Sequence, residues 1–345
     1  MINRQALLGL LGTNIMKSLA PAMHIDAFAA AGVTGHYHLM DADLLPGRTL
    51  KALLEAVKTA GFAGVNVTFP FKQAIVPMLD ELTPEARRIG AVNTVTIDKT
   101  GHTTGHNTDC SGFRLSFEHG LGRAAAGGKT AVLAGAGGAG SAVAFALMDL
   151  GLKTLIVHDK DTARAAGLAA GIVAHYGAGR CRLADRLEND IAAADGVANA
   201  TPIGMHGIPG NPVPSGALRP SHWVADVIYS PMETALIQTA AALGARTLTG
   251  GGRCVYQAVE AFRLFTGIAP DVARMHRVFA AALAARDIAA GNNASGDAGT
   301  RDTASGDTRA RAAGTMDTGT MDTGATDTGA TESGTSAAGT WGSAP

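Results

Sequence analysis

The sequence predicts an α/β protein of two lobes with a disordered, low-complexity C-terminal tail. Three observations predict it. Strand-like and helix-like runs alternate with short connections over most of the chain, the pattern of an α/β protein. A glycine-rich turn separates a strand-like run from a helix-like one at residues 130–150. From residue 291 onward there is no Leu, Ile, Val or Phe.

Bulk properties narrow the function classes. A chain of 345 residues with 46% hydrophobic content is long enough for two cores. The net charge is −1 and no basic stripe is present, which argues against a nucleic-acid partner. Cys110, Cys181 and Cys254 are odd in number and lack CxxC spacing. That speaks against a disulfide framework or a zinc site and suits a reducing cytoplasm. The simpler reading of each is a small apolar core residue. The run Leu7-Leu8-Gly9-Leu10-Leu11-Gly12 is too short and glycine-broken for a signal segment. No other run approaches the roughly 18 apolar residues of a membrane helix. A soluble cytoplasmic protein is expected, monomeric or homodimeric.

The first lobe is expected to span residues 1–108. Strand-like runs cover 6–11, 36–40, 64–67 and 91–97, and helix-like runs cover 22–31, 49–60 and 73–79. Gly32 and Gly61 stand where helix C-termini favour glycine. Asp98-Lys99-Thr100-Gly101 reads as a hairpin turn. The second lobe, 109–253, has strands at 130–133, 154–157, 196–200, 223–228 and 246–248, with helices at 139–150 and 161–174. Helical stretches at 255–265 and 271–288 carry a 3.6-period apolar face through Val259, Phe262, Leu264 and Phe265. They are expected to return to the first lobe, completing it with residues 254–290 and leaving a cleft between the lobes. In the tail, a five-residue unit repeats at 315–319, 320–324, 325–329 and 330–334. Such a segment buries too little apolar surface to offset its ordering entropy and is expected to be disordered.

The glycine turn reads Gly135-Ala136-Gly137-Gly138-Ala139-Gly140. It contains G-x-G-x-x-G between a strand and a helix, the context of a Rossmann-type dinucleotide site. The first glycine permits the turn, the second lets the backbone approach a pyrophosphate, and the third allows close packing. Asp159 ends the next strand, 19 residues after Gly140. An acid at about that spacing hydrogen-bonds a ribose 2′-hydroxyl and repels a 2′-phosphate, which points to NAD. Asp159 or Asp161 also suits the N-cap of the helix that follows. Lys160 and Arg164 leave NADP open. Thr201-Pro202-Ile203-Gly204-Met205 follows another strand, either as a cofactor-side loop or as an ordinary Pro-Gly turn.

Asn66-Val67-Thr68-Phe69-Pro70-Phe71-Lys72 sets a lysine where the chain leaves a buried strand. Pro70 ends the ladder and biases Phe69 toward an extended conformation. Lys72 then falls at the start of helix 73–79, where the macrodipole disfavours a cation. Taken alone, it is a tolerated surface lysine. A dehydrogenase acting on an alcohol, however, needs a side chain to carry the hydroxyl proton as the hydride leaves. A lysine positioned by a carboxylate meets that need. Asp109, in Asn107-Thr108-Asp109-Cys110, is the candidate partner; its competing role is a helix N-cap.

These residues resemble the shikimate/quinate dehydrogenase family. The segments 66–72, Gly90-Ala91-Val92-Asn93-Thr94 and Asn107-Thr108-Asp109 look like its three substrate-lobe signatures. The glycine turn and Asn199-Ala200-Thr201-Pro202 match its cofactor lobe, and Gln257-Ala258-Val259-Glu260-Ala261-Phe262 its C-terminal substrate-contacting helix. The match runs in order from about residue 7 to residue 275. Residues 102–109 and 262–267 resemble in particular the actinobacterial-type NAD-dependent quinate/shikimate dehydrogenases. The resemblance implies reversible oxidation of shikimate or quinate by NAD, with Lys72 and Asp109 as the catalytic pair. It implies that Thr68, Asn93 and Gln257 hold ring hydroxyls, Ser18 the carboxylate, and that Tyr229 lies near the substrate. Gly135 to Gly140, Asp159, Arg164, Thr201, Pro202 and Gly252 fall on the cofactor side; no metal is implied. Without the resemblance, Asn93 reads as a loop residue, Gln257 as an ordinary helix-face residue and Tyr229 as half-buried core.

Two positions depart from the family pattern. Ser18-Leu19-Ala20-Pro21 lacks the second hydroxyl of Ser-x-Ser-Pro or Ser-x-Thr-Pro, a bond worth roughly 1.5–3 kcal/mol when charge-assisted. Arg253 follows Gly250-Gly251-Gly252 where the family offers an apolar residue near the nicotinamide; it points either to solvent or to the cofactor. The alternatives are an enzyme for a modified (amino-)shikimate or quinate analogue, and a weakly catalytic nucleotide-binding sensor on the same fold.

Overall fold

The computed structural model describes residues 5–298. The chain divides into a unit of residues 1–294 and one of 295–345. The tail expected to be disordered lies outside the described residues from 299 on, while 291–298 continue a helix.

The first lobe runs β1 (Gln5–Gly12), α1 (Ala20–Ala30), β2 (Thr34–Asp41), α2 (Leu50–Thr59), β3 (Gly64–Val67), β4 (Glu81–Leu82), α3 (Pro84–Ile89), β5 (Thr94–Ile97) and β6 (Thr103–His106). Its six-stranded sheet has the order β2-β1-β3-β5-β6-β4. β1 pairs in parallel with β2 and β3, whereas β5 is antiparallel to β3 and β6. The β5–β6 hairpin turns at Asp98, whose Oδ1 accepts the N–H groups of Thr100 at 2.8 Å and His102 at 3.0 Å. Gly32 and Gly61 follow α1 and α2 with φ of 64° and 74°, as their positions suggested.

The second lobe runs α4 (Thr108–Gly120), β7 (Thr130–Ala134), α5 (Gly138–Asp149), β8 (Thr154–His158), α6 (Thr162–Tyr176), β9 (Cys181–Leu183), α7 (Leu187–Ala193), β10 (Gly196–Asn199), β11 (Trp223–Asp226), α8 (Ala235–Ala242) and β12 (Arg246–Leu248). Its sheet is wholly parallel, in the order β12-β11-β10-β7-β8-β9. The chain steps outward from β7 in both directions, so the switch point lies between β7 and β10. Open parallel sheets bind ligands in the crevice at the carboxyl ends of such strands.

Two last helices, α9 (Gly250–Thr266) and α10 (Val272–Ala298), close the fold. Val255, Ala258, Phe262, Met275 and Phe279 share a core with Leu8, Leu10, Met23 and Phe28 of the first lobe. α9 also lies close against α4: a Cβ on Gly112 would stand 2.9 Å from the Gln257 nitrogen, so only glycine allows this approach.

Two expectations are corrected. Residues 73–79 form no α-helix; Pro77 removes a donor and only a 3₁₀ turn, Val76–Met78, follows. Lys72 therefore stands in a turn. The strand expected at 91–97 covers only Thr94–Ile97. Its first part is diverted, because Val92 donates its N–H to the Lys72 carbonyl at 2.8 Å.

Candidate active site

Lys72 and Asp109 come together. Lys72 Nζ lies 2.5 Å from Asp109 Oδ2, and their side chains are 15% and 4% exposed. The turn bearing Lys72 is tied to the loop before β5 through Val92, and Asp109 stands in the first turn of α4. The capping role belongs to Asn107, whose Oδ1 accepts the Cys110 N–H at 3.0 Å, so the Asp109 carboxylate is free to face the lysine. Arg253 from α9 donates through Nη1 to the other Asp109 oxygen and through Nη2 to the Val227 carbonyl at 3.2 Å. Its side chain is only 14% exposed, so it turns to the carboxylate rather than to solvent. Burial alone pushes the Asp109 carboxyl up, but the charges and hydrogen bonds of Lys72 and Arg253 outweigh it and hold the carboxyl below its ordinary value.

Asn93 is 3% exposed beside the pair. Its Oδ1 accepts the Thr108 N–H at 2.7 Å, and its Nδ2 donates to Thr108 Oγ1 at 2.9 Å and reaches Gln257 Oε1 at 3.5 Å. Gln257 donates to the Cys254 carbonyl at 2.9 Å. Thr68 is half-buried just after β3, its N–H bound to the Leu11 carbonyl at 2.9 Å. Ser18 precedes α1, and its Oγ accepts the Ala20 N–H at 3.3 Å. At the start of α1 the Ala20 N–H is thus taken by Ser18 and Pro21 has none, so Ser18 Oγ is the polar group this end presents. Tyr229 packs on Phe279, ring centroids 6.0 Å apart. Burial pushes its hydroxyl up, with Arg253, Arg286 and Ser18 among the neighbours that oppose this.

The glycine turn lies at the switch point. Gly135 has φ 100°, and a Cβ there would stand 2.8 Å from the Ala200 backbone. The turn and the segment after β10 are thus pressed together. Gly137 caps α5 without a side chain, and a Cβ there would meet nothing within 4 Å. Open space at an uncapped helix N-terminus fits the diphosphate of a nucleotide. Gly138 joins the two halves of the site: a Cβ there would be 2.8 Å from Lys72 Cβ. Ala139 follows in the first turn of α5, and Gly140 packs on the Gly135 carbonyl.

Asp159 Oδ2 accepts the Ala136 N–H at 2.7 Å and its Oδ1 the Asp161 N–H at 2.9 Å. Asp161 is the N-cap of α6, so the capping role falls to it and not to Asp159. Arg164 is exposed and pairs with Asp161 at 3.6 Å. A cavity of about 370 Å³ borders the turn, lined in part by Gln73, Arg88, Ala136, Ser141 and Arg164. Thr201 Oγ1 donates to Asn199 Oδ1 at 2.7 Å, with Pro202 exposed beside it. Gly252 lies in the first turn of α9 against Ser116, so its missing side chain serves helix packing.

Sequence reasoning missed two supports. Asp226 takes hydrogen bonds from Asn199 at 3.0 Å, Ile228 N–H at 3.0 Å and Thr234 at 2.7 Å, bracing the segments after β10 and β11. Burial raises its carboxyl. Arg88 of α3 grips Asp149 of α5 with both terminal nitrogens, at 3.1 and 2.6 Å, and bonds Tyr176 at 3.0 Å, clasping the lobes. Glu85, Cys110 and Asp149 have metal-type ligand atoms within 4.8 Å of one another, but Arg88 already pairs with both acids.

A family model described as the shikimate dehydrogenase substrate binding domain matches residues 10–95, and one described as the shikimate 5'-dehydrogenase C-terminal domain matches 255–278. The quinate/shikimate dehydrogenase (NAD(+)) of Corynebacterium efficiens is 48% identical over 277 residues, covering 79% of this chain and 97% of that protein. The shikimate dehydrogenase (NADP(+)) of Streptomyces avermitilis is 46% identical, covering 78% and 93%. The solved quinate dehydrogenase from Corynebacterium glutamicum in complex with NAD superposes with a TM-score of 0.75 at 47% identity, covering 81% of this chain and 100% of that one.

Proposed function

Since the chain belongs to the shikimate/quinate dehydrogenase family, we propose that it oxidises shikimate to 3-dehydroshikimate or quinate to 3-dehydroquinate, reversibly and with NAD. One observation carries the reading: Lys72 lies 2.5 Å from a buried carboxylate and flush against Gly138 of the glycine turn. A proton carrier is thereby set beside the site for a hydride acceptor, as alcohol oxidation requires.

The nucleotide, when bound, supplies the hydride acceptor. Gly137 and the N-terminus of α5 hold its diphosphate, and Asp159 its ribose hydroxyls. The same carboxylate repels a 2′-phosphate, which favours NAD. In the oxidation the Lys72 amine takes the proton of the reacting hydroxyl, and Asp109 holds the ammonium that results; in the reverse direction that ammonium returns the proton. Asn93, Thr68 and Gln257 orient the other ring hydroxyls. Ser18 receives the carboxylate, and Tyr229 closes that side. Among the described residues no helix is long and apolar enough to cross a membrane. The three free, buried cysteines fit the cytoplasm.

The test is a rate matrix with purified protein: quinate and shikimate, each with NAD and NADP. Turnover with NAD on at least one acid is expected, and none with any pair rejects the reading. A second reading, a modified analogue as substrate, is favoured by Ala20 alone. It predicts that an amino analogue outpaces both acids in the same assay.

A further inference from the structure

We propose that Arg253 is a positioning residue, which holds Asp109 by its second oxygen so that Lys72 is free to turn from the carboxylate to the substrate hydroxyl. This rests on the reading of Lys72 as the proton carrier.

The Asp109 side chain is 4% exposed. With one cation beside it, a carboxylate so deeply buried is left uncompensated whenever that cation turns away or gives up its charge, and an unpaired buried charge is strongly destabilising. Here each oxygen has its own cation, Lys72 on Oδ2 and Arg253 on Oδ1. Asp109 keeps a partner while the lysine works.

The two cations are held differently. Arg253 is anchored twice, to Asp109 and to the Val227 carbonyl, and is 14% exposed. Lys72 stands in a turn, with Asp109 as its side-chain acceptor among the described residues. The lysine is therefore the partner able to leave. Arg253 Nε is buried and lacks an acceptor among the described residues. That cost is borne by a guanidinium aimed at Asp109. Arg253 also lies one helical turn before Gln257, on the face of α9 that meets Asn93.

The test compares the full chain with Lys72→Met, Arg253→Met, Arg253→Lys and the Lys72→Met/Arg253→Met double variant. In the parent, Lys72→Met should lower the melting temperature by under about 2 °C, whereas in the Arg253→Met background the same change should cost roughly 6 °C or more. Arg253→Met should lower kcat about tenfold while KM for NAD stays within about twofold, and Arg253→Lys should recover most of the loss because the charge returns. Equal thermal costs in both backgrounds refute the shared carboxylate. A folded Arg253→Met with kcat within about twofold of the parent refutes the positioning role. Should Arg253→Met not fold, Arg253→Gln, which keeps hydrogen bonding without charge, carries both comparisons. A parent inactive on every substrate rejects the functional reading alone; the thermal cycle needs no substrate and still decides the charge arrangement.

Discussion

Asp159 at the end of β8 accepts the backbone N–H of Ala136 at 2.7 Å, so the acid proposed to select the nucleotide also stitches the glycine turn in place. Asparagine keeps an acceptor for that N–H and loses the charge. Asp159→Asn is expected to raise the ratio of kcat/KM for NADP to that for NAD about tenfold or more, a change of about 1.4 kcal/mol. Steady-state kinetics with both nucleotides measure it; an unchanged ratio removes Asp159 as the selector.

Lys72→Ala tests the proton carrier. Loss of a positioned acid–base group is expected to lower kcat by about 10²–10⁴-fold. Arg253 still neutralises Asp109 in this variant, and the glycine turn keeps its contacts, so NAD binding measured by fluorescence titration should persist. Retained turnover rules out the assigned role.

Ala20→Ser restores the hydroxyl that the family pattern carries beside Ser18. With a substrate carboxylate beside Ser18, the added bond is worth about 1.5–3 kcal/mol, or a tenfold or greater fall in KM. A KM for quinate and shikimate that stays put would place the carboxylate elsewhere.

His24 makes the fold acid-sensitive. It is fully buried, stacked on Tyr37 at 4.6 Å, and neither ring nitrogen has a partner among the described residues. Burial lowers its pKa from 6.5 to about 3. Below pH 6.5 the unfolded chain takes up a proton that the folded chain refuses. Stability therefore falls as pH drops from 6.5 toward 3, by about 1.4 kcal/mol per unit, with no contribution above that window. His24→Phe should flatten the decline between pH 6.5 and 4.5 in denaturant titrations. Parallel declines in parent and variant would show that other groups govern it.

Some misread elements were legible. Thr83-Pro84-Glu85 followed by Gly90 carries a cap, a proline at the first turn and a left-handed terminus, and α3 has all three: Thr83 accepts the Ala86 N–H at 3.2 Å and Gly90 has φ 69°. The helix expected at 73–79 was misjudged because its apolar residues match a helical period while Pro77 breaks the ladder. Which of Asp159 and Asp161 caps α6 was open in the sequence, because both precede the helix by a few residues; the backbone path gives the cap to Asp161.

The sequence by itself determined the alternation of strands and helices, the glycine turn with its acid partner, and the candidacy of Lys72 and Asp109. Those features depend on backbone preferences and short spacings, which neighbouring residues encode. Only the tertiary structure decided that Asp109 sits between two cations, one 37 and one 144 residues away. It also decided that Lys72 lies against Gly138, and that Arg253 faces the carboxylate. Those relations arise where α4, α9 and the turn after β3 pack together. In that buried space a charge must find its partner, however distant in the chain.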